Sequence, residues 1–196
     1  MNKSTASTRL TAITGGIGAG KSVVSRILCA MGYPVYDCDS RAKTLMNTDP
    51  GIRAALAEAF GAEILTPGGI DRDRLGAIVF ADPERLHTLN KVVHGAVRLD
   101  LERWCGEHLV HTRLFVETAI LAESGLDAMV GSVWEVVAPV ELRVERVMRR
   151  NALTRDQVEA RIAAQRSGAY PGAVPIVNDG IHPLLIQVRD ALSAGR

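Results

Sequence analysis

The chain has 196 residues, 47% apolar and 23% charged, which suits one hydrophobic core with a modest insertion and excludes disorder, collagen and coiled coil. Lys plus Arg (23) nearly cancel Asp plus Glu (22), leaving +1, and only 4% of residues are aromatic, so no basic face or stacking platform for nucleic acid or anionic membrane is expected and any phosphate binding has to be local. Three cysteines without CxxC spacing, a polar start and no apolar run of about eighteen residues predict a cytoplasmic protein, monomer or weak oligomer, with neither a disulfide framework nor a zinc cluster.

Leu10–Thr14 is a short apolar and β-branched run ended by glycines, the pattern of a buried parallel strand. Over 21–31 the apolar residues Val23, Val24, Ile27, Leu28 and Met31 recur at helical spacing, and Gly32 supplies a stop. Pro34 restarts an extended segment, Val35-Tyr36, that runs into Asp37-Cys38-Asp39; Asp39 or Ser40 can cap a helix over 41–46. This βαβα order predicts a parallel sheet.

Between 51 and 111 the alternation stops. Ile52, Leu56 and Phe60, then Leu75, Ile78 and Val79, then Leu86, Leu89, Val92 and Val93 keep helical spacing and mark a helical insertion. Thr66-Pro67-Gly68-Gly69 splits it with a turn, and Asp82-Pro83-Glu84 has the chemistry of a helix start. His108 and His111 read as a helix-end pair rather than metal ligands. Leu114-Phe115-Val116 is a buried strand ending in Glu117, and 132–138 gives another. A helix over 140–151 carries Arg143, Arg146, Arg149 and Arg150, and Thr154 with Gln157 forms a capping box for a helix reaching Gln165. A mobile-looking Gly- and Pro-rich link over 167–175, a strand at Ile176-Val177 and a helix over 183–194 close the chain.

Gly15-Gly16-Ile17-Gly18-Ala19-Gly20-Lys21-Ser22 matches G-x-x-x-x-G-K-[ST] between a predicted strand and a predicted helix. Glycines let the backbone curl so that successive N–H groups point inward, and the helix N-terminus adds partial positive charge. Lys21 places a full charge on the β- and γ-phosphates of ATP, and the Ser22 hydroxyl can ligate Mg²⁺. A guanine reader is missing: Asn90-Lys91-Val92-Val93 lacks the acid, and the DxxG match from Asp73 to Gly76 falls inside a predicted helix. The helical insertion and the Arg-rich helix suit a small-molecule kinase, because phosphoryl transfer needs neutralised oxygens and exclusion of water. A kinase of another small hydroxyl or nucleotide substrate, or an ATP-binding switch module, shares the loop.

From about Leu10 to Gly180 the chain resembles the dephospho-coenzyme A kinases. The similarity runs through the glycine loop, Val35-Tyr36-Asp37-Cys38-Asp39, Gly69-Ile70-Asp71-Arg72 with Leu75 and Val79-Phe80, then His94, Ala119-Ile120-Leu121-Ala122-Glu123, Arg146 with Arg150, Gln165 and Asn178. Departures are His94-Gly95 and Ala119-Ile120-Leu121, where the family usually has His-Pro and Pro-Leu-Leu. The resemblance implies ATP-dependent phosphorylation of the ribose 3′-hydroxyl of dephospho-CoA, the closing step of coenzyme A synthesis. It also implies an α/β, three-layer P-loop kinase fold: a parallel five-stranded sheet in a nucleotide-binding core over 1–50 and 112–196, a helical acceptor insertion over 51–111 and a small lid over about 143–165.

Site roles follow as expectations. Asp37 and Asp39 are two apart, so in an extended segment both carboxylates would leave the same face beside the loop. Asp39 either caps a helix or orients the acceptor hydroxyl, and the resemblance favours the second; Asp37 supports it or the Mg²⁺ shell. Arg146 and Arg150 are four apart and can converge on transferring phosphoryl oxygens, against the alternative of a solvated face paired with Glu141 and Glu145. Glu117 is a strand-end acid able to hold a Mg²⁺-bound water. Among Asp71, Arg72, Lys91, His94 and Arg98, the resemblance selects Arg72 and His94 as acceptor contacts, with His94 a binder rather than a base. It also makes Asn178 a candidate adenine-edge contact.

Overall fold

The structure is a computed structural model describing residues 9–165 and 170–194; the polar start at 1–8 and the part of the Gly- and Pro-rich link at 166–169 lie outside the described residues. In chain order the elements are β1 (Leu10–Thr14), α1 (Lys21–Ala30), β2 (Val35–Asp37), α2 (Cys38–Thr48), α3 (Pro50–Phe60), β3 (Leu65–Thr66), β4 (Gly69–Ile70), α4 (Arg72–Phe80), α5 (Pro83–Glu107), β5 (Leu114–Glu117), β6 (Ser132–Val137), α6 (Val140–Asn151), α7 (Arg155–Ala164), β7 (Val174–Val177) and α8 (Leu184–Ala194). Among the described residues the main sheet has five strands in the order β2-β5-β1-β6-β7, and each neighbouring pair is parallel.

Side chains alternate across a strand, so the two faces of this sheet seed two cores. Leu10 and Ala12 of β1, Tyr36 of β2 and Leu114 and Val116 of β5 pack with Leu45, Leu56, Leu75, Val97 and Leu101 of the helices α2–α5. The intervening Ile13 and Phe115, with Trp134, Val136 and Ile176, pack on Val24 and Leu28 of α1 and Val188 and Leu192 of α8. A small third cluster, Val144, Val147 and Val158, joins α6 to α7. Helices on both faces explain why β1 is buried along its whole length.

The insertion is helical as predicted, but it also contains a two-strand hairpin. Leu65 pairs with Ile70 and Thr66 with Gly69 across the Pro67-Gly68 turn, too short a ladder for a period-2 pattern to show. The DxxG match lies inside α4. The helix predicted over 41–46 runs Cys38–Thr48, and its cap is Asp37, not Asp39 or Ser40. Asp37 keeps an extended backbone at φ −90°, ψ 105° while Cys38 is already helical, so only Asp37 can turn its carboxylate onto the free N–H groups of the first turn. Its Oδ1 accepts from Asp39 N at 3.0 Å and Ser40 N at 3.2 Å. The ring of His108, at the C-cap of α5, stacks on Trp104 with centroids 4.3 Å apart. Among the described residues no helix is long and apolar enough to cross a membrane.

Candidate active site

Parallel strands bring their carboxyl ends to one edge, and the register sets Asp37 of β2 opposite Glu117 of β5, which is itself opposite Ile13 of β1. The glycine loop leaves β1 at that edge. Gly15 and Gly20 take φ of 138° and 98°, and a Cβ would strike the Val136 carbonyl oxygen at the first and the Asn178 side-chain amide at the second; only glycine fits both. Lys21, the first residue of α1, folds back so that Nζ donates to Gly15 O at 2.9 Å and Gly16 O at 3.4 Å. Burial lowers its pKa, Glu117 and Asp39 oppose that shift, and Arg143 and Arg150 add to it. Four of the predicted functional side chains, Lys21, Asp39, Glu117 and Arg150, therefore share one electrostatic neighbourhood, with Arg143 beside them.

The acids face Lys21 from the β2 and β5 side. Glu117 is held above the ordinary carboxyl range, chiefly by burial, with Asp37 and Asp39 adding to the rise and Ser25 and Lys21 opposing it. The premise that Asp37 and Asp39 leave one face of an extended segment is corrected, since Asp37 ends β2 and Asp39 stands in the first turn of α2. Both carboxylates act on Glu117 nonetheless, and Asp39 also acts on Lys21, from the first turn of the helix that follows β2. Asp37 is partly occupied, because Ser40 Oγ donates to its Oδ2 at 2.6 Å in addition to the two cap bonds. Between them the buried Cys38 thiol is pushed up to about 12, by burial first and then by Asp39 and Asp37.

The α6 arginines reach the loop from the opposite side. Arg143 Nε donates to Ile17 O at 2.9 Å. Arg146 Nη1 donates to Asn178 O at 3.1 Å and lies 3.5 Å from both Gly18 O and Ala19 O. Arg150 is exposed and bonds Asn151 Oδ1 at 2.9 Å. The alternative of a solvated face paired with Glu141 and Glu145 does not describe Arg146, which bonds Asn178, whereas Arg150 is solvent-exposed and Glu141 pairs with Arg155 at 3.0 Å. Asn178, expected at an adenine edge, is buried; its Nδ2 donates to Ala19 O at 2.7 Å and its Oδ1 accepts from Arg146 at 3.2 Å. Gln165 was visible only through family likeness: its Oε1 accepts from Ile17 N at 2.7 Å and its Nε2 donates to Ala119 O at 3.3 Å.

Ser22 is exposed in the first turn of α1, and its hydroxyl, like the carboxylates of Asp37 and Glu117, is a hard oxygen donor of the kind Mg²⁺ takes. Among the described residues no group of three or more His, Cys, Asp and Glu is placed to hold a metal ion. The insertion residues stand elsewhere. Asp71 caps α4 by accepting from Arg74 N at 3.0 Å, and Arg72 and Lys91 are exposed on α4 and α5. Half-buried His94 is held below its ordinary pKa by burial and by Arg98, and it meets the Glu123 backbone. Arg98 donates to Ser124 O at 2.8 Å.

A five-stranded parallel sheet with a Gly-Lys-Ser loop after its central strand and arginines aimed at that loop defines a P-loop kinase. The dephospho-CoA kinase family model matches residues 9–170, and the chain belongs to the dephospho-CoA kinase family. It is 36% identical over 184 residues to the dephospho-CoA kinase of Bacteroides fragilis, covering 92% of this chain and 90% of that protein. TT1252 from Thermus thermophilus has a crystal structure that is similar at a TM-score of 0.77 and 34% identity over 95% of both chains. The dephospho-CoA kinase from Campylobacter jejuni shares the fold, with a TM-score of 0.64 and 23% identity over 95% of both chains.

Proposed function

We propose that the chain transfers the γ-phosphoryl group of ATP to the ribose 3′-hydroxyl of dephospho-CoA, giving CoA and ADP, with Asp39 as the group that receives or orients the hydroxyl proton. The observation that carries this reading is the grouping of Asp39 and Glu117 around Lys21 at the mouth of the glycine loop. In a P-loop kinase the loop N–H groups and Lys21 hold the β- and γ-phosphates, so the acceptor must approach from the side on which Asp39 lies. Asp39 draws the proton from the attacking oxygen as the new O–P bond forms and the β–γ bridge breaks. Arg146, held against the loop by Asn178, and exposed Arg150 neutralise charge on the transferring oxygens. Mg²⁺, held by Ser22 with Glu117 and Asp37 behind it, would screen the phosphate charges.

Helices α2–α5 form the acceptor side, with Arg72 meeting an acceptor phosphate and neutral His94 positioning the acceptor through hydrogen bonds. Asn178 serves the nucleotide indirectly by holding Ala19 and Arg146. The test is one incubation with Mg-ATP and a panel of acceptors. Rapid ADP release with dephospho-CoA alone supports the proposal. Release with a different hydroxyl compound assigns another acceptor, and slow hydrolysis independent of any acceptor assigns a switch module.

A further inference from the structure

Among the described residues one carboxylate, Asp100, is buried outside the phosphate cluster. Asp100 lies on the apolar stripe of α5 formed by Val93, Val97, Leu101 and Trp104, and its side chain is 2% exposed. A charge there is costly unless several partners meet it. Three do. The hydroxyl of fully buried Tyr36 donates to Asp100 Oδ2 at 2.7 Å. Arg41 grips the same oxygen through Nε at 2.8 Å and Nη2 at 2.6 Å, and Arg103 pairs with Oδ1. The Arg41 guanidinium also lies 5.5 Å from the Tyr36 ring centre. Burial would raise the Asp100 carboxyl, yet the bonds from Tyr36 and Arg41 and the charges of Arg41 and Arg103 hold it below its ordinary value of 3.8.

Two of the three partners, Tyr36 and Arg41, are close together in the chain, whereas Arg103 lies on α5 itself. Tyr36 directly precedes Asp37, and Arg41 follows Asp39 by two residues, so Asp100 grips the chain on both sides of Asp37-Cys38-Asp39. The same helix carries His94 six residues earlier, about 9 Å along its axis. We infer that Asp100, Tyr36 and Arg41 are positioning residues for the phosphoryl transfer: they lock the Asp39 turn to α5 and thereby fix the distance between the acceptor side and the acid that receives its hydroxyl proton. The inference rests on the role proposed for Asp39. Reactions of oriented groups are steep in position, so a slackened tether lowers turnover while the triphosphate grip, built on β1, α1 and α6, stays intact.

The experiment compares Tyr36→Phe, Asp100→Asn and the double variant with wild type, well below their melting midpoints. It measures kcat, KM for each substrate and ATP affinity by direct titration. Tyr36→Phe keeps the ring and loses only the hydroxyl, so it decides the matter even if Asp100→Asn fails to fold. The expected result is a drop in kcat of about tenfold or more in each single variant with ATP affinity unchanged, and a double variant no slower than the slower single one. Folded variants with lowered melting midpoints but wild-type kcat and KM would overturn the inference and leave a purely structural tether. Asp39→Asn run alongside separates the two layers: near wild-type turnover there removes the role of Asp39, whereas its loss beside unimpaired Tyr36→Phe removes only the tether.

Discussion

Replacing Arg150 by Lys keeps the charge near Lys21 but loses the planar fork that can hold two phosphoryl oxygens. A fall in kcat of about tenfold with little change in ATP affinity is the outcome expected from steady-state kinetics and titration; unchanged kcat would leave Arg150 as solvated surface. Glu117 supports a prediction about pH. Its folded-state pKa is raised above the ordinary 4.5, so the folded protein holds that proton more tightly than the unfolded chain does. Its contribution to stability is present at low pH and is lost as pH rises from the ordinary value through the folded one, the reverse of a salt-bridged acid. Glu117→Gln should therefore lose less stability than wild type on going from about pH 4 to pH 7 in denaturant titrations, as expected of an acid retained for function. The glycine loop was legible residue by residue because its chemistry is local. The cap was not: Asp37, Asp39 and Ser40 are all capping types, and only the backbone's entry into the helix at Cys38 selects one.

Among the elements, α6 (Val140–Asn151) agrees with its predicted span, and the Thr154 and Gln157 capping box is present in full. Both signals are local and physical. Val144 and Val147 face the small core with Val158, while Arg143 and Arg146 on the adjoining face reach the Ile17 and Asn178 carbonyls. Those partners are 126 and 32 residues away, and helical spacing cannot reveal which loop a helix face will meet. Thr154→Ala removes one side of the box and should cost about 1 kcal/mol, seen as faster hydrogen exchange confined to the first amides of α7; unchanged exchange would deny the cap its role. Asp100 was readable in principle, since an acid on an otherwise apolar stripe signals a buried partner, but nothing in the sequence says that Tyr36 and Arg41 are that partner.

At the scale of the molecule, the helical insertion predicted from its broken alternation does not close a core of its own among the described residues. Leu56, Leu75, Val97 and Leu101 pack in one cluster with Leu10, Tyr36 and Val116 of the sheet. Unfolding should accordingly be one cooperative transition, with Trp emission and far-UV circular dichroism coinciding. Leu101→Ala, at a fully buried position of that shared core, should lower stability by about 2 to 5 kcal/mol and shift both signals together; a variant that lost only part of the signal in a first step would mean that the helices fold apart from the sheet. The same shared packing gives α5 a firm seat from which to hold the Asp39 turn.

The role proposed for Asp39 is to aim an alcohol at a held triphosphate, and a single-turnover measurement with Asp39→Asn reads that step without interference from product release. With enzyme, ATP and dephospho-CoA premixed to saturation, the rate of phosphoryl transfer should fall about a hundredfold or more while ATP affinity stays at the wild-type value. A transfer rate within twofold of wild type, or a loss that tracks weakened ATP binding, would contradict it.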